Sequence, residues 1–506
     1  MGMAFAPTVL RRPLDVAHRM PPRRRLVEIV LLLAGAGVML APAGDLTFEA
    51  RVAFVVFGAA IYCWVATAIN DTWVALGGAL IVGLTDPDGS DALFSALGDP
   101  TIWLLLGAFV LAAAAQASGL ARRLAVAVAV RAGSVRGLFA GLTGAITLTA
   151  FVIPSTSGRA ALMIPVFLAL AAAIDDKRIV RALALLFPTV ILLSAIASLI
   201  GAGAHLVTAE VLEQTGNESF GYGRWLLLGA PFAIVSTFGS SWVIQRLFLC
   251  REERRRPLKI AAEDLRDEAD PAAATGTGPL SQAERTVLAV IAILVTLWCT
   301  EALHGVDAAL VAIVGALAVT APRLGVIDFK SALQRVDFGI LVFLAATLVL
   351  GRALIESGGA DWLVGHAFGV VGGASPLILV AVVAIVSLLA HLVINSRTAR
   401  SSVLVPIVVL LGASAGVNPA LLAFVSTAAA GFCLTLPVSA KPVLLFSGLE
   451  RPTFAPADLM RLSRVLLPAH LVVLLLFAFT VWPAFGLSTT DPSPPDADPN
   501  TPTNRR

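Results

Sequence analysis

Charge is what this chain has least of. Only 14% of its 506 residues are charged, while 58% are hydrophobic and the mean hydropathy is +0.88. Water-soluble domains carry about 25% charged and about 45–50% apolar residues, so a soluble fold is excluded. The four cysteines, Cys63, Cys250, Cys299 and Cys433, form no CxxC pair and no metal-ligand spacing, which removes a disulfide framework and a zinc site. Six histidines include no HExxH pair, and neither a GxSxG elbow nor a GxxxxGK[ST] loop occurs. An enzyme therefore lacks its usual machinery here. A net charge of +3 gives no footprint for nucleic acid.

What is abundant is apolar sequence of bilayer length. A crossing helix needs about 20 mainly apolar residues. Such runs fall near 26–42, 51–68, 70–86, 101–119, 138–172, 179–208, 223–249, 284–303, 307–325, 337–355, 375–411, 418–437 and 462–484. Two of them, 138–172 and 375–411, are too long for one crossing. Polar clusters, Pro154 to Arg159 and Asn395 to Arg400, break them in the middle. Irregular backbone at membrane depth needs cover from protein or a water-filled cavity, so both read as re-entrant hairpins. The expectation is an all-α polytopic membrane protein with about eleven transmembrane helices and two re-entrant hairpins.

Basic residues should collect in cytoplasmic loops. With a cytoplasmic N-terminus, most of the 36 do so, leaving Arg51, Arg224, Arg505 and Arg506 outside. This places the C-terminus externally and the protein in the inner or plasma membrane. Residues 1–25 are a basic cytoplasmic segment. Residues 26–249 hold the first helix and first membrane repeat. The stretch 250–282 is a cytoplasmic linker, 283–485 a second repeat, and 486–506 a disordered external tail. Basic residues 11–25 followed by an apolar run and small residues at 41–43 also fit a secretory signal; the charge pattern favours a retained helix.

The halves echo each other. Aligning Pro165 with Pro406 pairs Ser155 with Ser396, Thr156 with Arg397, Ser157 with Thr398 and Arg159 with Arg400. Interrupted helices follow in both halves, with breaks around Gly201, Ala202, Gly203 and His205, and around Ser439, Ala440, Lys441 and Pro442. An odd number of crossings between the units gives them inverted topology. Secondary transporters use that arrangement, with substrate near the midplane between broken helices.

The block DPTIWLLLG…SGLARRLA and the paired hairpins ending in ALMIP and SVLVP resemble the divalent anion/sodium symporters, solute carrier family 13, from about Trp64 to Trp482. The resemblance implies an elevator-type carrier, a homodimer, and di- or tricarboxylate or sulfate as substrate. It also implies sodium sites built from Ser-Asn-Thr tips and Thr-Pro-Pro-Asn breaks. Here the tip hydroxyls remain and both Asn are absent.

Hairpin tips expose backbone N–H groups suited to an anion. The expected substrate contacts are Ser155, Thr156, Ser157, Arg159, Asn395, Ser396, Arg397, Thr398 and Arg400. Arginine forks onto carboxylate or sulfate through two parallel hydrogen bonds. Arg397 takes an Asn position and Lys441 a Pro position. A sodium ion beside either would be repelled by about 4 kcal/mol at 4 Å and an effective dielectric of 20. The expectation is reduced or no sodium coupling, through exchange, uniport or proton coupling. One Na⁺ site stays open near Ser155, Thr156 and Ser157, and His205 is a candidate proton carrier. A related permease for arsenite or Na⁺/H⁺ exchange, and a non-transporting anion receptor, are the competing readings.

Overall fold

The computed structural model describes residues 37, 46–67, 69–85, 89–174, 176–216, 220–261, 265, 279–323, 325–359, 362, 375–449 and 453–490. The expected span at 26–42, much of the linker 250–282 and most of the tail lie outside them. Among the described residues the chain is helical, with one isolated β-bridge between Ser134 and Pro257. Eight helices among the described residues are long and apolar enough to cross a membrane, and five shorter apolar ones accompany them.

Seventeen helices carry the architecture: α1 (Phe48–Ala66), α2 (Asp71–Thr85), α3 (Pro100–Ser118), α4 (Leu120–Arg131), α5 (Val135–Leu148), α6 (Thr156–Ile174), α7 (Lys177–Ser194), α8 (Gly203–Gln214), α9 (Tyr222–Phe248), α10 (Gln282–Cys299), α11 (Ala308–Val319), α12 (Phe338–Glu356), α13 (Pro376–Leu389), α14 (Arg397–Ala415), α15 (Pro419–Ala429), α16 (Lys441–Ser447) and α17 (Pro456–Leu476). Their starts follow local chemistry. Asp99 caps α3 with Pro100 in the first turn, and the helix ends at Gly119 with φ +72°, a left-handed position that suits glycine. Asn418 and Pro419 open α15 in the same way. Residues 120–131, which the sequence places in a basic cytoplasmic loop, form a helix of their own.

The two long runs are each interrupted in the middle. Each is helix, break, helix: α5 and α6 around 149–155, and α13 and α14 around 390–396. The two interrupted helices are α7 with α8, and α15 with α16. Packing repeats between the halves. Both α5 and α6 lie on α7, as α13 and α14 lie on α15; α16 then crosses to α6, as α8 crosses to α14. Each broken helix thus holds its own hairpin-like pair and reaches over to the other. A scaffold of α1, α2 and α12 on one side, and of α3, α10 and α11 on another, surrounds this centre.

After α9 the chain straps back across the ends of the helices. Val135 N–H donates to the Arg256 carbonyl at 3.2 Å, and Arg256 pairs with Asp176 at 2.9 Å. Glu253 accepts from the Cys250 N–H at 2.7 Å. That bond first, with help from Arg178, holds the Glu253 carboxyl below its usual range.

Candidate functional site

Both breaks leave backbone in extended conformation just before a half-helix. Ala202 (φ −162°, ψ 149°) precedes α8 and Ala440 (φ −156°, ψ 145°) precedes α16, neither giving a side-chain cap. The first N–H groups of α8 are therefore left for another acceptor. At the tips, Ser155 Oγ accepts from Gly158 N at 3.1 Å and Ser396 Oγ from Ala399 N at 3.3 Å. These matched serines cap α6 and α14, so part of their hydrogen-bonding capacity is already used locally.

Tips and breaks converge on one cavity of about 450 Å³. Ser155, Thr156, Ser157, Asn395, Ser396, Arg397 and Thr398 line it, together with Ala202, Gly203, Ser439, Ala440, Lys441 and Pro442. Its remaining wall includes Trp64 and Phe343, whose rings lie 5.8 Å apart. Gly203 belongs at the meeting point, since a Cβ there would stand 3.4 Å from Thr398 Oγ1. Gly201 is outside the lining but shapes the break: a Cβ would collide with the Ala195 carbonyl. Gly201→Ala should lower stability by about 1–3 kcal/mol through that overlap, seen as a lower apparent melting temperature of the purified protein.

The three arginines of the tips divide. Arg397 lines the cavity, and its Nε, Nη1 and Nη2 are buried with no hydrogen-bond partner. It passes close to Gly431, where a Cβ would be 3.0 Å from Nη2. Arg159 does not line the cavity. It is fully buried behind the first tip and donates to Thr149 Oγ1 (2.9 Å), the Ile191 carbonyl (3.0 Å), the Ile146 carbonyl (2.7 Å) and Ser194 Oγ (2.6 Å). Arg400 is also fully buried and outside the lining; Nη2 donates to Cys433 Sγ at 3.0 Å, leaving Nε and Nη1 without partners. No carboxylate pairs with any of the three among the described residues.

His205 sits behind the first break. Its Nδ1 lies 2.9 Å from the Ser198 carbonyl and its ring lies tilted against Trp225 with centroids 5.1 Å apart. His391, Thr435 and Ser463 form a buried chain with steps of 2.8 Å and 2.8 Å.

Neither 138–172 nor 375–411 contains an Asp or Glu, yet Asp71 and Asp337 from elsewhere in the chain both line the cavity. Asp337 was visible as a helix-start signal, because it caps α12 through Ile340 N at 3.3 Å. Cys433 also lines the cavity, and its place there has no local signal in the sequence.

A second cavity of about 480 Å³ reaches the first break from elsewhere, through Leu199 and Leu206. It is lined by Asp99, Glu210, Glu213, Glu301, Asp307 and Arg352. Phe343 on the first cavity and Arg352 on the second are nine residues apart on α12, roughly 14 Å along its axis at 1.5 Å per residue. The break therefore separates two cavities near opposite ends of that helix.

Residues 23–488 match the family described as the sodium:sulfate symporter transmembrane region. A membrane protein of Cupriavidus necator is 26% identical over 449 residues, covering 84% of this chain and 85% of that relative. The sodium-dependent dicarboxylate transporter SdcS of Staphylococcus saprophyticus is 24% identical over 472 residues, covering 87% and 88%. Among solved structures, the YdaH transporter of Alcanivorax borkumensis matches with TM-score 0.52 and 16% identity, over 86% of this chain and 98% of that one. MtrF of Neisseria gonorrhoeae matches with TM-score 0.54 and 11% identity, over 91% and 94%; both likenesses concern the fold alone. With a family match running through nearly the whole membrane region, this chain belongs to the sodium:sulfate symporter family of membrane transporters.

Proposed function

We propose that the protein exchanges small anions, di- or tricarboxylate or sulfate, by alternating access, with Arg397 acting as the fixed cation of the second half-site. The observation carrying this reading is Arg397, a residue of the shared cavity's lining whose three guanidinium nitrogens are buried and unpartnered. An unpaired buried charge costs several kcal/mol, and an anionic oxygen pair offsets that cost by forking onto two of its N–H groups. Lys441 and the first N–H groups of α8 supply further donors at the same cavity. Support for the substrate class comes from SdcS, a dicarboxylate transporter by name.

The relatives called SdcS are sodium-dependent, and a mobile cation differs from a fixed one in a way that decides the transport mode. Sodium leaves with the substrate, so a sodium-coupled carrier returns with a neutral site. Arg397 cannot leave. Reorienting it empty exposes an uncompensated charge to the low-dielectric interior, and about 3 kcal/mol of that cost slows return about hundredfold. A returning anion removes the penalty, which makes exchange the favoured cycle. Thr156 and Ser157 leave the first half-site open to one Na⁺.

The two cavities approaching one break from opposite ends of α12 fit alternating access. With the basic residues taken as cytoplasmic, the 67–72 and 337–343 walls of the Arg397 cavity fall on that side, which supports reading this conformation as inward-facing. An elevator movement in a homodimer follows from the family resemblance.

Proteoliposomes loaded with unlabelled succinate or sulfate, or left empty, test the cycle. Uptake of the labelled anion should be at least tenfold faster into loaded vesicles and nearly indifferent to a sodium gradient. Equal uptake into empty vesicles, or more than one sodium per turnover, defeats exchange. Binding without any counterflow would favour a receptor.

A further inference from the structure

Away from the transport cavity, the ends of three helices enclose a cleft of about 420 Å³ lined by Arg178 and Arg181 at the start of α7, Arg461 in α17, and residues 247–250 after α9. We propose that this cleft binds the phosphate of an anionic phospholipid. Three guanidinium groups from two separate helix starts face one space. Each has five N–H donors in a fixed fork. The acids nearby take only part of that capacity: Glu253 accepts from Arg178 at 3.3 Å, and Asp458 forms an ion pair with Arg181 at 3.5 Å. Arg461 lies over the Phe248 ring at 5.7 Å, which fixes its direction, and it has no acidic partner among the described residues.

The surface leading to the cleft decides between a lipid and a soluble phosphate. Ile234, Phe238 and Trp242 recur every four residues along α9 and are all exposed, so they form one apolar stripe on the helix surface. The stripe ends at Arg246, whose guanidinium lies 5.1 Å over the Trp242 ring. Tryptophan and arginine at a helix end mark the headgroup level of a bilayer. A phospholipid laid along α9 would therefore put an acyl chain on the stripe and its phosphate in the cleft. Basic pockets between helices at this level suit anionic headgroups.

Native mass spectrometry of the purified protein with phosphatidylglycerol, phosphatidylcholine or inorganic phosphate tests the assignment. Phosphatidylglycerol should be retained in preference to phosphatidylcholine. Arg461→Gln should weaken that retention about fivefold, from about 1 kcal/mol per arginine near a membrane surface, whereas Arg461→Lys should keep part of it. Arg251→Gln, which lies outside the cleft, should leave it unchanged. The variants' anion-induced thermal shifts report whether the transport cavity has survived. Retention unaffected by Arg461→Gln, no preference between the lipids, or displacement of the lipid by millimolar inorganic phosphate would overturn the proposal.

Discussion

Arg397→Asn should abolish the anion-induced thermal shift and slow exchange about hundredfold, while the empty protein melts no lower than wild type. The first half of that expectation comes from the two charge-assisted hydrogen bonds that a guanidinium offers a carboxylate or sulfate. At about 1.5 kcal/mol each or more, losing them costs about 3 kcal/mol, or about two decades in affinity. The second half comes from the buried, unpartnered nitrogens. Deleting an uncompensated charge removes a desolvation cost from the empty state, so the usual penalty for trimming a buried side chain is offset. A structural arginine gives the opposite pattern, a large loss of apo stability. The variant also restores asparagine to the tip, as the family pattern has it. Sodium stimulation should therefore exceed that of wild type, and more so when Lys441→Pro removes the neighbouring ammonium. Thermal shift against a panel of anions, followed by sodium titration in proteoliposomes, reads all three effects. Substrate binding that survives Arg397→Asn would remove the fixed-cation mechanism.

The sequence made the helical, membrane-spanning class legible because apolar runs of bilayer length are a composition signal that needs no tertiary context. It also located both helix breaks, since Pro154 to Arg159 and Asn395 to Arg400 interrupt such runs. Alignment of the halves paired residues that the fold brings to one cavity. Ser155 and Ser396 show where that reasoning was incomplete: their spacing announced a site, while each also closes a local cap. The arginines show the deeper limit. Arg159 and Arg400 occupy matched positions, two residues from the serine and threonine of their tips. Their direction depends on carbonyls and a sulfur from distant helices, so periodicity on their own helices could not reveal it. Asp71 and Asp337 were missed for the related reason that they lie at the starts of scaffold helices, far in sequence from either tip.

Arg159→Met should lower the melting temperature sharply in the absence of substrate, with about 3–5 kcal/mol lost as four buried hydrogen bonds break together. A buried guanidinium without a carboxylate would be costly, yet Arg159 is compensated by geometry. Ile146 is in the last turn of α5 and Ile191 in the last turn of α7. Carbonyls of a helix's last turn are only partly paired along the helix, and each helix C-terminus carries about half a negative charge. Two such ends facing one guanidinium approximate its counter-ion, and the four bonds from Nε, Nη1 and Nη2 complete the match. The residue therefore pins the first tip to the end of α5 and to the place where α7 unwinds. Removing it takes one donor from each of the Ile146 and Ile191 carbonyls, which keep only the bonds from Thr149 and from the Ser194 hydroxyl at 3.4 Å, and each lost bond costs about 1 kcal/mol. Arg159→Lys should recover part of the loss, because an ammonium keeps the charge but cannot span all four acceptors. Substrate affinity per folded molecule should change far less than with Arg397→Asn, and the ratio of the two effects separates their roles. If Arg159→Met instead left the melting temperature untouched and abolished the anion shift, Arg159 would be a substrate ligand, and the division between a pinned first tip and a cationic second tip would fail.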